Sequence, residues 1–297
     1  MIRPMRPDDV PLVERLSAVG FHELDQRVHP RAWPDPELRP AERAGAWVRR
    51  TFHLLETDPG GCWVAQGGGT GDTGDTEIVG FATSFTRELM WVLSSYVVQP
   101  GLQGQGIGVQ LLAAALEHGR GCLRGMLSAS DDPKALRRYR LAGFSFHAQM
   151  LLHGVVDRSR LPVVDKIREG SISDRDFMDS IDRQTRGAAH GPDHEWLARE
   201  YPLVVADRTT GSGYVYLRGG APLLLAATNR RTAADLMWEA LASSPQGAAV
   251  EAGHITSANE WAIDVGLEAR LSIHHRGYLA LRQMKPPTPY LHHGSLL

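Results

Sequence analysis

The chain has 297 residues, a hydrophobic share of 42%, a charged share of 22% and a formal net charge of −2. This is the balance of an ordinary folded protein of two domains, without the global field that would draw nucleic acid or anionic lipid. No long apolar run and no apolar leader core occur, so a cytoplasmic protein without a membrane partner is expected. Cys62 and Cys122 have no metal or redox spacing and read as buried free thiols.

In chain order, Ile2-Arg3-Pro4, Asp8-Asp9 and the apolar positions Val10, Val13, Leu16 and Val19 read as a strand, a capped turn and an amphipathic helix. A second helix is expected over 40–56, with Ala44, Trp47, Val48 and Leu55 inward. Strands follow at 62–65, 78–85 and 90–98, the first two separated by a glycine-rich hairpin tip at 67–76. After the third strand, Gly104, Gly106 and Gly108 form a turn, and an apolar-periodic helix covers 109–118. Strand, glycine turn and helix in that order make a phosphate cradle, because glycine lets main-chain N–H groups approach an anion at a helix N-terminus.

Spacing separates the compounds such a cradle holds. A P-loop needs Lys-Ser or Lys-Thr where Val109-Gln110 stands. A dinucleotide fingerprint needs glycine at Val109, although Asp131 or Asp132 could serve as its acidic residue. A third pattern, Gln/Arg-x-x-Gly-x-Gly/Ala after Val-x-Pro, is met by Val98, Pro100, Gln103, Gly106 and Gly108. A second motif lies further on. A strand at 126–129 leads to Asp131 or Asp132 as helix cap, with Pro133 in the first turn, and Gly143 ends the helix. Ala135, Tyr139, Gly143 and Phe144 fit Asn-x-x-Ala-x-x-x-Tyr-x-x-x-Gly-Phe, with Asp132 in the asparagine position.

Together the two motifs resemble the GNAT superfamily of acetyltransferases. The resemblance implies acetyl-coenzyme A as cosubstrate, with no metal. It assigns the coenzyme contacts to Val97, Val98, Gln103, Gly104, Gln105, Gly106, Ile107, Gly108, Val109, Asp132 and Lys134. A small-molecule or amino-acid-like amine is the implied acceptor, and a homodimer is left open.

Beyond an alternating strand pair around 144–156, the pattern recurs in weaker form. A strand at 164–168 precedes a helix capped by Asp174, and strands follow at 203–206, 212–217 and 223–227. Then come a helix at 232–242, a strand at 248–252 and a helix holding Asn259 and Ala262 that stops before Gly266. The expected fold is mixed α/β, with two GNAT-like domains, each a mostly antiparallel sheet flanked by helices. Residues 1–157 form the catalytic domain, 158–165 a linker, 166–285 a degenerate copy and 286–297 a proline-rich tail that reaches back across the junction. The copy lacks the glycine loop: Thr228-Asn229-Arg230-Arg231-Thr232-Ala233 stands there, and Gly266 replaces the tyrosine. One coenzyme A per chain is expected.

Attack of an amine on a thioester needs a free amine, a polarised carbonyl, alignment, and a proton for the departing thiolate. The resemblance implies that a main-chain N–H near Val98 polarises the carbonyl and that Tyr139 is the acid. Phenol-to-thiolate transfer is uphill by roughly 2 kcal/mol on reference pKa values of about 10 and about 8.5. The base is not evident. The strand 90–98 has no carboxylate; Glu88 just precedes it, and Ser94, Ser95 or Tyr96 could hold a water. His22, His29, His53, Trp33 and Trp47 fall in the region that shapes the acceptor pocket. His190 and His194 flank Gly191-Pro192, which argues for a loop, and the pairs His274-His275 and His292-His293 lack a third ligand, so no metal site is read. A non-catalytic acyl-coenzyme A-binding or regulatory protein is one alternative. A nucleotide-dependent oxidoreductase, which would need a parallel sheet, is the other.

Overall fold

The computed structural model describes residues 41–66, 78–99 and 101–297. The expected strand and helix before residue 40, with His22, His29 and Trp33, and the 67–76 tip lie outside the described residues. The chain divides into two units, residues 1–45 and 46–297, and all the described strands belong to the second.

Helix α1 (Ala41–Thr57) leads into three strands, β1 (Cys62–Gln66), β2 (Ile78–Arg87) and β3 (Met90–Val98), paired antiparallel in succession. Helix α2 (Ile107–His118) then crosses over to β4 (Arg124–Ala129), which lies parallel to β3. Among the described strands this is the one parallel pair, so the parallel sheet of the oxidoreductase alternative does not form. Helix α3 (Pro133–Leu141) and strand β5 (Ser145–Val155) come next. The strand pair expected around 144–156 is thus one long strand, because both its partners come from far along the chain.

The rest of the chain runs β6 (Ile167–Glu169), α4 (Arg175–Thr185), α5 (Asp193–Glu200), β7 (Leu203–Arg208), β8 (Gly211–Arg218), β9 (Ala221–Ala227), α6 (Arg230–Ala242), β10 (Ala249–Ile255), α7 (Glu260–Glu268), β11 (Ser272–Arg282) and β12 (Tyr290–Leu291). Two mixed α/β layers result. One sheet has the order β1-β2-β3-β4-β11-β5-β10, and the other β12-β9-β8-β7-β6. The order of the larger sheet is unusual. β11 inserts between β4 and β5, so that Tyr278 faces Ala129 on one side and Ala148 on the other. β5 in turn pairs with β10, from Ala249↔Val155 to Ile255↔Met150. β5, which follows α3, and β11, which follows α7, both pair with strands from far along the chain.

Strand alternation sends side chains to two faces. One face carries Trp91, Leu93, Leu127 and Ala280, packed against Leu111, Leu112 and Ala115 of α2 and Tyr139 of α3. The opposite face carries Met90, Val92, Met126, Leu279 and Leu281, packed with Leu54 of α1, Ile181 of α4, Leu197 of α5, Tyr290 and Leu297. A third core fills the smaller sheet, around Val215, Leu225, Leu236, Met237 and Trp261.

Three expectations are revised. α7 runs through Gly266 instead of stopping before it, because a Cβ at Gly266 would meet the Leu152 side chain at 2.2 Å; the glycine is a close-packing residue inside the helix. α5 begins at Asp193, directly after the loop expected at Gly191-Pro192, so His194 lies in a helical first turn. Cys62 and Cys122 are free but half-buried. No helix of the described residues is long and apolar enough to cross a membrane.

Candidate functional site

The site begins with a bulge. β2 and β3 pair Ser84↔Leu93 and then Thr83↔Ser95, which leaves Ser94 as an extra residue on β3. Pairing with β4 stops at the same place. It runs from Met90↔Arg124 to Leu93↔Leu127, although β3 continues to Val98 and β4 to Ala129. The two parallel strands therefore part at Ser94 and Ser128 and open a wedge between them. The Ser94 hydroxyl is enclosed there without a hydrogen-bond partner among the described residues.

At the mouth of the wedge is the glycine turn. Gly104 and Gly106 have φ of +89° and +87°, and a Cβ at either would meet nothing within 4 Å. Glycine is required by conformation, and the space beside it is open. Gly106 caps α2 without any side-chain acceptor, so the first-turn N–H groups of Ile107 and Gly108 are left for a ligand. Gly108 is needed for another reason: a Cβ would come within 2.2 Å of the Tyr96 hydroxyl, which donates to the Gly108 carbonyl at 2.7 Å. The Gln103 amide reaches the Val98 carbonyl at 3.5 Å and accepts from Lys134 Nζ at 3.3 Å, tying the turn to α3. Asp132 caps α3 by accepting from the Lys134 N–H at 2.9 Å, which accounts for its side chain structurally. Val97 and Val109 are exposed beside this turn.

Tyr139 packs its ring 6.2 Å from that of Tyr96, on the α3 side of the wedge. Among the described residues its hydroxyl makes no hydrogen bond, which leaves the O–H for a bound group. Burial, then the neighbouring Tyr96 and Asp132, push the phenol well above its ordinary pKa, so it is a neutral donor at any physiological pH.

Glu88 is not brought to the wedge. It sits in the turn at the opposite end of β3, with φ +53°, its carboxylate accepting from Arg183 Nε at 2.7 Å and from the Ala189 N–H. Six residues of strand separate it from Ser94, on the order of 20 Å. On the face of the wedge opposite Tyr139, α1 brings Arg50 to the Ser95 hydroxyl at 3.4 Å and Trp47 against Phe81. His53 binds Asp193 instead, at 2.8 Å.

Sequence reasoning missed two buried polar groups on this side. Gln149 of β5 accepts from Ser128 at 3.5 Å and from His254 Nδ1 at 3.4 Å, and donates to His292 Nε2 at 2.6 Å. Its signal, one glutamine in a strand that also carries Ser145, His147 and His153, was faint, and its partners come from β4, β10 and the tail. The second group is centred on Asp182, whose Oδ2 receives His190 Nδ1 at 2.7 Å and His194 Nε2 at 3.1 Å, while Oδ1 receives the Tyr214 hydroxyl. These three residues have metal-ligand geometry, with donor atoms within 4.8 Å of one another. Their lone pairs and protons are satisfied within the cluster, however, and Arg186 stands 2.6 Å from His190 Nε2, an unfavourable neighbour for a cation. Burial opposes the Asp182 charge, but His190 and His194 outweigh it and hold the carboxyl far below its usual range. Arg186 also donates to the Leu297 main-chain oxygen, so this cluster anchors the tail.

Wedge, open glycine turn and phenol lie together and make the candidate site. Residues 19–144 match the acetyltransferase (GNAT) family. The whole chain is similar in fold to a protein from Pyrococcus horikoshii assigned as an acetyltransferase, with a TM-score of 0.64 and 20% identity over 96% of this chain and 89% of that one. It is also similar to a GCN5-related N-acetyltransferase from Kribbella flavida, with a TM-score of 0.53 and 20% identity over 86% of this chain and 67% of that one. The comparison with curated proteins finds no match. The GNAT match ends at Phe144, so it spans the wedge, the glycine turn and Tyr139 but not β10, β11 or the tail.

Proposed function

We propose that the chain is an acetyl-coenzyme A-dependent N-acetyltransferase that acetylates the amine of a small-molecule or amino-acid-like acceptor by direct attack on the thioester. The observation that carries this reading is the parting of β3 and β4 beside an uncapped, glycine-opened helix N-terminus. The pyrophosphate would rest on the turn at Gly104–Gly108. The pantetheine arm would enter the wedge and offer its amides to the edges of β3 and β4 where their pairing stops. The thioester carbonyl would then lie near the Val98 end of β3, with Tyr139 placed to protonate the thiolate as the C–S bond breaks. An intact phenol without a structural hydrogen bond favours turnover over simple acyl-coenzyme A binding.

We also read the two halves as tandem copies, the second having lost its coenzyme site. The corresponding helix in that half, α6, is capped internally: Asn229 Oδ1 accepts from the Thr232 N–H at 2.9 Å. Asn229 Nδ2 is committed to the Thr210 carbonyl. Nothing comparable to the open turn at Gly106 is left there. Calorimetry with coenzyme A should give one site per chain, and acetyl-coenzyme A with a panel of amines should release thiol only when a suitable acceptor is present. Thiol release from no member of a broad panel would defeat the enzymatic reading, and two equivalent sites would defeat the reading of the second half.

A further inference from the structure

Helix α3 turns an apolar stripe towards the sheet, and one residue in that stripe is charged. Ala135, Leu136, Tyr139 and Ala142 pack into the core that also holds Trp91, Leu111 and Leu127. Arg138 stands among them, three residues after Ala135 and four before Ala142, so it shares their side of the helix. Among the described residues its guanidinium has neither a hydrogen bond nor an ion pair, and Nη1 is enclosed. The side chain as a whole is only partly buried, so the cation is not sealed into the core. An enclosed donor without an acceptor is unfavourable in the free protein, and an anion carried in by a ligand would satisfy it.

Two contacts fix where Arg138 stands relative to the glycine turn. Lys134, one helical turn earlier on the same face, reaches Gln103 Oε1 with its Nζ at 3.3 Å. That face of α3 therefore looks across to the turn. On the other side of Arg138, Tyr139 packs on Tyr96, whose hydroxyl donates to the Gly108 carbonyl in the first turn of α2. Arg138 thus lies along α3 between two contacts that both lead to the N-terminus of α2. The electrostatics agree: burial is the leading cause that raises both phenols, and Arg138 is the charge that opposes it at each. The nearby acids are engaged elsewhere. Asp132 accepts from the Lys134 N–H, and Asp131 stands 3.9 Å from His275.

Resting on the acetyltransferase reading, we propose that Arg138 is a coenzyme-binding residue whose guanidinium holds the pyrophosphate of acetyl-coenzyme A from the α3 side of the wedge mouth. The open first turn of α2 offers main-chain N–H groups to the diphosphate, and Arg138 offers it a planar fork. The two are complementary, since a helix N-terminus carries only about half a positive charge and a guanidinium carries a full one. Lys134 is the one cation among the contacts assigned by the two motifs, and its ammonium is engaged with Gln103.

The test compares three ligands that share the pantetheine arm. Coenzyme A carries the pyrophosphate and a 3′-phosphate, 3′-dephospho-coenzyme A the pyrophosphate alone, and pantetheine neither. In the full-length Arg138→Gln variant, calorimetric affinity should fall by about tenfold or more for coenzyme A and for its dephospho form alike. That difference from wild type should narrow as salt is raised. The rate with acetyl-pantetheine, measured with an acceptor that supports turnover, should stay at the wild-type value. A loss confined to coenzyme A would assign Arg138 to the 3′-phosphate, and a salt-independent loss would assign it to the adenine; either overturns the proposal. An equal loss with acetyl-pantetheine would place Arg138 in the chemistry at Tyr139 and overturns it too, as does unchanged affinity for all ligands. Wild-type protein that binds neither form of the coenzyme would instead defeat the acetyltransferase reading. Should Arg138→Gln not fold, Arg138→Lys keeps the charge and loses the fork. It should bind both phosphate-bearing ligands about threefold more weakly with acetyl-pantetheine unaffected, and wild-type affinity would overturn the proposal.

Discussion

Arg87 and Asp193 form a buried bidentate pair across 106 residues of sequence, with Nη2 to Oδ1 at 2.5 Å and Nε to Oδ2 at 2.8 Å. The remaining guanidinium nitrogen, Nη1, donates to Asp58 at 2.7 Å, and Asp58 also accepts from the Thr86 N–H at 2.9 Å. Burial opposes charge on Asp193, yet its bonds to His53 and Arg87 hold the carboxyl down to about 2. One guanidinium thereby joins β2 to the start of α5. Arg87→Leu should cost about 3–5 kcal/mol, because two carboxylates would be left buried without their cation. Denaturant unfolding would measure it, and a loss below about 1 kcal/mol would show that the pair is dispensable.

The glycine turn has one position suited to a clean test. Gly106→Glu places a carboxylate beside the proposed anion site in open space and costs the fold only the left-handed strain, roughly 1–2 kcal/mol. Coenzyme A binding should vanish in calorimetry while the circular dichroism spectrum is retained. Gly108→Glu is the poorer choice, since it collides with the Tyr96 hydroxyl. Unchanged affinity in a folded Gly106→Glu protein would refute the cofactor assignment.

Tyr139→Phe removes one hydroxyl that makes no hydrogen bond to a described residue. Stability should change little, and turnover should fall about tenfold or more with acetyl-coenzyme A affinity nearly constant. If the variant keeps wild-type turnover across the pH range, the ring serves packing alone.

Acid should weaken the fold in two separate windows. His292 and His293 are buried and His254 is partly buried, and desolvation, reinforced by neighbouring arginines and by the other imidazoles, holds their folded pKa values below 6.5. The unfolded chain binds protons first, so stability falls as pH drops from about 6.5 towards 4, by about 1.4 kcal/mol per unit of depression for each imidazole. Asp193 contributes stability that is present above about 3.8 and is lost as pH falls towards 2. Melting temperature against pH should therefore decline below 6.5. His254→Asn should flatten the upper part of that decline, and an unchanged slope would exclude His254 as its source.

Much of the first half was legible because its signals are local. The limits of β3, the capped helix after Asp132 and the glycine turn follow from neighbouring residues, and they appear where expected. Glu88 illustrates the limit. Its nearness to β3 in sequence suggested a base, but β3 runs away from it. Gln149 and His254 are 105 residues apart and meet only because strands are exchanged between the halves. No periodicity records such a pairing. Gly266 misled for a related reason, since local propensity ends a helix at glycine, whereas contact with Leu152 requires one inside it.

Removing residues 158–297 tests the exchange directly. β4 would lose β11, and with it Leu279, Ala280 and Leu281 from both faces of the sheet. The truncated half should be unfolded or aggregated and should bind no coenzyme A. A soluble, monomeric half that binds it normally would contradict this.

The exchange also sets a timetable for synthesis. A nascent first half can form β1 to β3 early, but β4 keeps an open edge until residues 272–282 leave the ribosome. At about 5–20 residues per second, that edge stays exposed for many seconds, during which another strand could pair with it. A stalled or fragmented product without β11 is left with a sheet edge that β11 covers in the full chain.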